Sequence, residues 1–130
     1  MSATSTVSVL TPASEEEAAS FVADSAVARR TIGIVGGGTR SGFGRPTKPD
    51  VTLSSAKLTG IRFYEPAELV IGVGAGTPLR DVEAALAENG QMLAFEPIDH
   101  RVLYGGSGEP TMGGVASVNA SGPRRIRVGA

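Results

Sequence analysis

The 130-residue chain carries 12 Lys and Arg against 13 Asp and Glu, a formal net charge of −1, with 18 Gly, one His and no Cys. That balance offers no basic face for nucleic acid, and the lack of Cys excludes disulfides, thiolate metal sites and cysteine nucleophiles. One His excludes a histidine-rich metal site, no apolar run reaches the roughly 18 residues of a membrane span, and no signal peptide is visible, so a cytoplasmic chain of one domain's length is expected.

Residues 1–12 are rich in Ser and Thr and read as a flexible tail, with Met1–Thr6 disordered. Ser14 followed by Glu17 is a capping-box pattern, and Glu15 and Glu16 add negative charge at a helix N-terminus. Ala18, Phe21, Val22 and Ala26 recur at helical spacing, so a helix is expected over about 14–29 with Arg29 and Arg30 at its end. Thr31–Val35 is short, β-branched and followed by glycines, the pattern of a buried strand. Five Gly and two Pro across 36–50 exclude a helix there, and Val51–Ser54 reads as a second strand.

Ile61 and Phe63 alternate with Arg62 and Tyr64, which predicts a half-buried strand. Residues 65–68 form a turn and Leu69–Val73 a nearly continuous apolar strand, together an antiparallel hairpin. Thr77 reads as an N-cap with Pro78 at the first helical position; Leu79, Val82 and Leu86 form the buried stripe, and Gly90 the stop. Gln91–Phe95 reads as another strand, 96–112 as loop, and Met112–Val118 as a short helix opening at a Gly pair.

Two glycine clusters carry the chemistry. Gly36, Gly37, Gly38, Thr39, Arg40 and Ser41 directly follow a strand; glycines let backbone N–H groups converge on an anion, and the two hydroxyls add donors. A Walker loop is excluded because Phe43 follows Gly42 where Lys is needed, and a Rossmann fingerprint because 42–49 cannot open a helix. The second cluster holds Thr111, Gly113, Gly114, Asn119, Ser121 and Gly122, with free N–H groups expected at the helix start. A merely tight loop is the plain alternative for either cluster alone. The other singled-out residues have plain readings as well. His100 reads as a surface residue and Glu15–Glu17 as capping. Arg124, Arg125 and Arg127 read as solvated, or as contacts to phosphate or a partner. Gly72, Gly74 and Gly76 read as close packing at a strand end.

The pairing of strand-Gly36-Gly37-Gly38-Thr39 with Thr111-Met112-Gly113-Gly114 and Asn119-Ala120-Ser121-Gly122-Pro123-Arg124-Arg125 resembles the FAD-binding domain of the vanillyl-alcohol oxidase / p-cresol methylhydroxylase flavoproteins. Residues 90–97 and 121–125 look most like the FAD-binding subunits of glycolate oxidases. The resemblance covers about residues 8–130. It implies an α+β fold of two lobes: a small α/β lobe over 13–57, and a lobe over 58–130 on an antiparallel sheet that is incomplete at its C-terminus. FAD would lie between them, with residues 36–41 on its pyrophosphate and Thr111, Gly113, Gly114, Asn119, Ser121 and Gly122 as a second wall. Relatives that attach flavin covalently use a His in or beside the first loop; none stands there, so non-covalent FAD is expected.

The implied reaction is oxidation of a 2-hydroxy acid to a 2-oxo acid with hydride transfer to flavin, beside a second flavin subunit and an iron–sulfur subunit. The chain ends at Ala130, before the family's substrate domain, so the catalytic residues are expected outside this N-terminal fragment. Residues 98–110 and the Val128-Gly129 pair depart from the family pattern. Two rival readings are a truncated, non-catalytic module that binds FAD or a subunit, and another oxidase of the same superfamily.

Overall fold

Residues 8–129 are described by the structure, a computed structural model. Ser14 is extended and its hydroxyl accepts the Glu17 N–H at 3.2 Å, while the Glu17 carboxylate takes the Ala13 N–H at 2.8 Å. The Glu17 N–H, an orphan donor of the first turn, is thereby satisfied and the chain before the cap is tied down, so α1 (Glu15–Val27) starts where the capping pattern places it. It ends in a Schellman motif: Arg30 donates to Ser25 and Arg29 to Ala26, with Arg29 itself at φ +50°.

The first sheet is parallel, in the order β1-β3-β2, with β1 (Ser8–Leu10) and β2 (Ile32–Val35) flanking β3 (Val51–Ser54). Val51 faces Ser8 on one side and Ile32 on the other. Having partners on both edges, β3 is the most buried strand, with Val51 and Leu53 in the core. Two expectations are corrected here. Ser8–Leu10 is a strand and not part of a loose tail, because β3 offers it a free edge; the expected disorder of Met1–Thr6 lies outside the described residues. The β2 strand is not buried: it is the opposite edge, and Ile34 is 80% exposed. Thr31 donates both its N–H and its hydroxyl to Asp50 at 2.7 Å, and Asp50 donates its N–H back to the hydroxyl. This clamp fixes where β2 and β3 begin and holds the Asp50 carboxyl below its ordinary value, the Thr31 hydroxyl contributing most.

The second sheet is the expected antiparallel hairpin, β4 (Ile61–Glu65) with β5 (Val70–Val73), joined by a 3-10 turn over Pro66–Glu68. Leu69 caps that turn at φ +57° and is not the first strand residue. Gly72 lies against the Phe63 ring, while Gly74 and Gly76 pack on the carbonyls of Leu58 and Ser55, so these glycines serve close packing.

Thr77 is not the cap of α2 (Leu79–Glu88). Its hydroxyl is buried, donates to the Gly74 carbonyl at 2.7 Å and accepts the Gly60 N–H at 3.0 Å, tying the hairpin ends to the helix start. Val82 and Leu86 are buried as expected, as is Val115 from α4 (Met112–Val118). The helix stops in a second Schellman motif, with Gly90 at φ +64° and Gln91 donating to Leu86.

Beyond it, residues 91–95 form no strand, and the side chain of Gln91 is committed elsewhere. It accepts from the Tyr64 hydroxyl and donates to the Pro66 carbonyl at 2.8 Å, anchoring the segment to the hairpin turn. A one-turn helix, α3 (Arg101–Tyr104), interrupts the stretch expected as loop, and α5 (Arg125–Val128) closes the described chain. Among the described residues no helix is long and apolar enough to cross a membrane.

Candidate functional site: an anion loop and its strap

The first glycine cluster leaves β2 and turns back on itself. Gly38 takes φ +72°, the Ser41 hydroxyl donates to the Gly38 carbonyl at 2.8 Å, and Phe43 N–H donates to Arg40. Ser41 therefore spends its hydroxyl proton on closing the turn. The N–H groups of Gly37, Gly38, Thr39 and Arg40 donate to no protein acceptor among the described residues. Four consecutive free donors around a left-handed residue are an arrangement that can bind an anion.

Arg40 adds a positive charge there. Its Nη2 reaches the Ile98 carbonyl at 3.4 Å, its Nη1 lies beside Gly114, and its Nε is buried with no partner. Burial lowers the guanidinium from its ordinary value and Asp99 opposes that shift; arginine stays protonated in proteins regardless. A buried N–H without an acceptor costs about 1–3 kcal/mol, which an incoming anion would recover.

Segment 98–111 runs along this loop as a strap. Going back along the chain, Thr111 lies against Gly36, the Glu109 carbonyl against Gly37, Gly106 beside Thr39, and the Tyr104 ring on Gly42. A Cβ on Gly36 or Gly37 would overlap Thr111 or Glu109, and one on Gly108 would overlap the Gly37 carbonyl. Gly36 and Gly37 are thus required by protein packing, while Gly38 has nothing within 4 Å of a Cβ and faces open space. Apart from Thr111, sequence reasoning did not assign this strap to the site. Its available signal was a third glycine group, Gly105, Gly106 and Gly108. His100 stacks on Tyr104 with the ring planes 1° apart, and its Nδ1 lies 3.0 Å from the Ile98 carbonyl. A carbonyl can only accept, so Nδ1 carries the proton.

The second cluster sits on α4. Thr111 caps the helix through Gly114, and Asn119 ends it in a left-handed conformation. Here an expectation is corrected: the N–H groups at the helix start are not free. Met112 donates to Thr77, Gly113 to Ala75, Gly114 to the Thr111 hydroxyl and Val115 to the Thr111 carbonyl. The helix start is stapled to the 74–79 turn, with Pro78 bridging Thr111 and Leu79 donating to Pro110. Thr111, Gly113 and Gly114 stand at the end near Arg40, whereas Asn119, Ser121 and Gly122 lie at the other end, roughly 10 Å away along a seven-residue helix.

At that far end an open cavity of about 320 Å³ is lined by Phe95, Val115, Ala116, Asn119, Ala120 and Ser121. The Ser121 hydroxyl is buried without a hydrogen-bond partner. Glu96 braces the turn: it donates its N–H to the Ser121 carbonyl, and its carboxylate holds the Arg124 guanidinium at 3.0 Å and the Arg124 N–H at 3.1 Å. A second cavity, about 420 Å³, lies between α2 and residues 91–97, with Arg124 on its rim. Among the described residues no group of three or more His, Asp or Glu is placed to hold a metal ion.

The free backbone donors and the unpartnered Arg40 Nε suit a phosphate-bearing ligand. A family described as FAD binding domain matches residues 7–130. Over 92 residues, 71% of this chain, the sequence is 44% identical to the glycolate oxidase subunit GlcE of Escherichia coli (strain K12). The match spans 24% of that relative's length. The chain belongs to the FAD-binding domain family of the vanillyl-alcohol oxidase / p-cresol methylhydroxylase type, and its cofactor is FAD.

Proposed function

We propose that this chain is the FAD-holding part of a flavin oxidoreductase that oxidises a 2-hydroxy acid to a 2-oxo acid. The observation that carries the placement of the cofactor is the run of free N–H groups from Gly37 to Arg40 beside the unpartnered Arg40 Nε. These donors take the pyrophosphate, with Gly36 and Thr39 shaping the loop. Thr111, Gly113 and Gly114 stand behind Arg40 as packing rather than as N–H donors. Asn119, Ser121 and Gly122, one helix length away, meet the more distant part of an extended dinucleotide, where the orphaned Ser121 hydroxyl finds its partner.

The parallel sheet and the hairpin are the beginnings of two lobes with the cofactor between them. FAD is held non-covalently, and when bound it supplies the hydride acceptor. The likeness to the glycolate oxidase subunit supports the substrate class, and the chain would assemble with a second flavin subunit and an iron–sulfur subunit in the cytoplasm. The chain itself positions the cofactor and sets its electrostatics.

The test is Arg40→Met, which keeps an apolar stem and removes the charge. Loss of a charge-assisted hydrogen bond costs about 1.5–3 kcal/mol, so the FAD Kd should rise roughly tenfold to a hundredfold. An unchanged Kd would remove the first glycine loop from the pyrophosphate site.

A further inference from the structure

The strap that forms one wall of the anion loop is fastened by charges at a distance from the loop's open side. Glu109 touches Gly37 with its backbone and turns its carboxylate the other way, onto two guanidinium groups: Arg101 Nη1 and Arg80 Nη1, each at 3.3 Å from Oε1. Arg101 is fixed in turn by Asp99, through Nε to both carboxylate oxygens at 3.0 Å and Nη2 to Oδ2 at 2.8 Å. Asp99 also accepts the Arg101 N–H at 2.9 Å. Isolated exposed ion pairs contribute little, but a multidentate Arg–carboxylate pair joined into a network is the geometry that does contribute. The network reaches from α3 through Glu109 to the first turn of α2, so it bridges the strap to the helix that carries the core residues Val82 and Leu86. On the loop side, backbone meets backbone: the Glu109 carbonyl abuts Gly37, and the Gly37 carbonyl abuts Gly108. Neither contact has a side chain that can rotate away, so a shift of Glu109 is passed directly to Gly37.

We propose that Glu109 is a positioning residue for the anion loop. Held by Arg101 and Arg80, it presses the strap onto Gly37 and keeps the Gly37–Arg40 donors in register, without itself touching the ligand. The inference rests on the reading that these donors hold the FAD pyrophosphate. It extends the site to an ion network that none of the binding residues includes.

The experiment compares the Kd of FAD with that of riboflavin, which lacks phosphate, in the full chain carrying Glu109→Gln. The FAD Kd should rise about threefold to tenfold while the riboflavin Kd stays unchanged, so that the ratio of the FAD Kd to the riboflavin Kd rises. An unchanged FAD Kd, or equal weakening of both ligands, overturns the proposal, the latter because a general loss of structure has no preference for phosphate. Should Glu109→Gln fail to fold, Arg80→Gln removes one of the two partners from the exposed side and should raise the same ratio by a smaller factor; no change in the ratio overturns the proposal equally. Wild-type chain that binds FAD no tighter than riboflavin would instead overturn the pyrophosphate placement on which the inference stands.

Discussion

Substituting Gly37 and Gly38 in turn separates close packing from backbone conformation as the source of the loop's shape. A Cβ on Gly37 would overlap the Glu109 carbonyl oxygen and stand 3.2 Å from the Glu109 nitrogen. Both sides are backbone, so relief requires the loop and the strap to move apart. Overpacking of this kind costs about 1–3 kcal/mol, and Gly37→Asn should be no better than Gly37→Ala.

Gly38 differs. Nothing lies within 4 Å of its Cβ position, but φ is +72°, which costs an ordinary L-residue about 1–2 kcal/mol and Asn appreciably less. Thermal unfolding should fall by roughly 4 °C per kcal/mol for a chain of this size. The predicted order of midpoints is therefore Gly38→Asn above Gly38→Ala, with both Gly37 variants low. Flavin-fluorescence titration should show the Gly37 variants losing at least about tenfold in FAD affinity, since displaced donors forfeit one or more charge-assisted bonds. The reasoning is refuted if Gly37→Ala keeps the wild-type midpoint and affinity, or if Gly38→Asn is no better than Gly38→Ala.

Arg29→Gly should stabilise the chain by about 1 kcal/mol, because Arg29 occupies the left-handed position of a Schellman motif that favours glycine; denaturant unfolding with an unchanged or lower midpoint would contradict this. Arg101 holds the Asp99 carboxyl down to about 2 from 3.8. A carboxyl lowered on folding contributes stability fully above its unfolded value and loses it as pH falls through the folded one, so the Asp99–Arg101 clamp should persist at pH 4 and dissolve towards pH 2. Carboxyl chemical shifts titrating near 4 for Asp99 would contradict it. Acid precipitation of the FAD-loaded chain should leave all flavin in the supernatant; colour in the pellet would point to a covalent bond, for which His100 is the first residue to test.

Local signals were legible in the sequence wherever one residue decides a conformation. Ser14 with Glu17 fixed the start of α1, Gly90 the end of α2, and Pro66 the hairpin turn. What escaped depends on partners distant in sequence. Gln91–Phe95 has strand composition, yet the Gln91 side chain binds Tyr64 and Pro66, contacts 27 and 25 residues away. Ser8–Leu10 looks like tail until β3 supplies an edge, and Thr77 looks like a cap until Gly60 claims its hydroxyl.

The site shows the same division. The Gly36–Arg40 cluster stood out in the sequence as a glycine run directly after a strand, and the structure gives it a tight turn with free backbone donors. The strap did not stand out, since residues 98–111 contact the cluster across some 70 positions, and at Glu109, Gly108 and Gly106 through backbone atoms that leave no mark on side-chain pattern. The free donors expected at α4 were also misplaced, because the 74–79 turn that consumes them is joined to it only in three dimensions.

The most direct test of the central claim is a paired titration of the full chain with FAD and FMN. A pyrophosphate seated on the Gly37–Arg40 donors predicts that FAD binds tighter by about tenfold or more, since FMN offers one terminal phosphate and no pyrophosphate bridge. Equal affinities would contradict the account and move the cofactor off this loop.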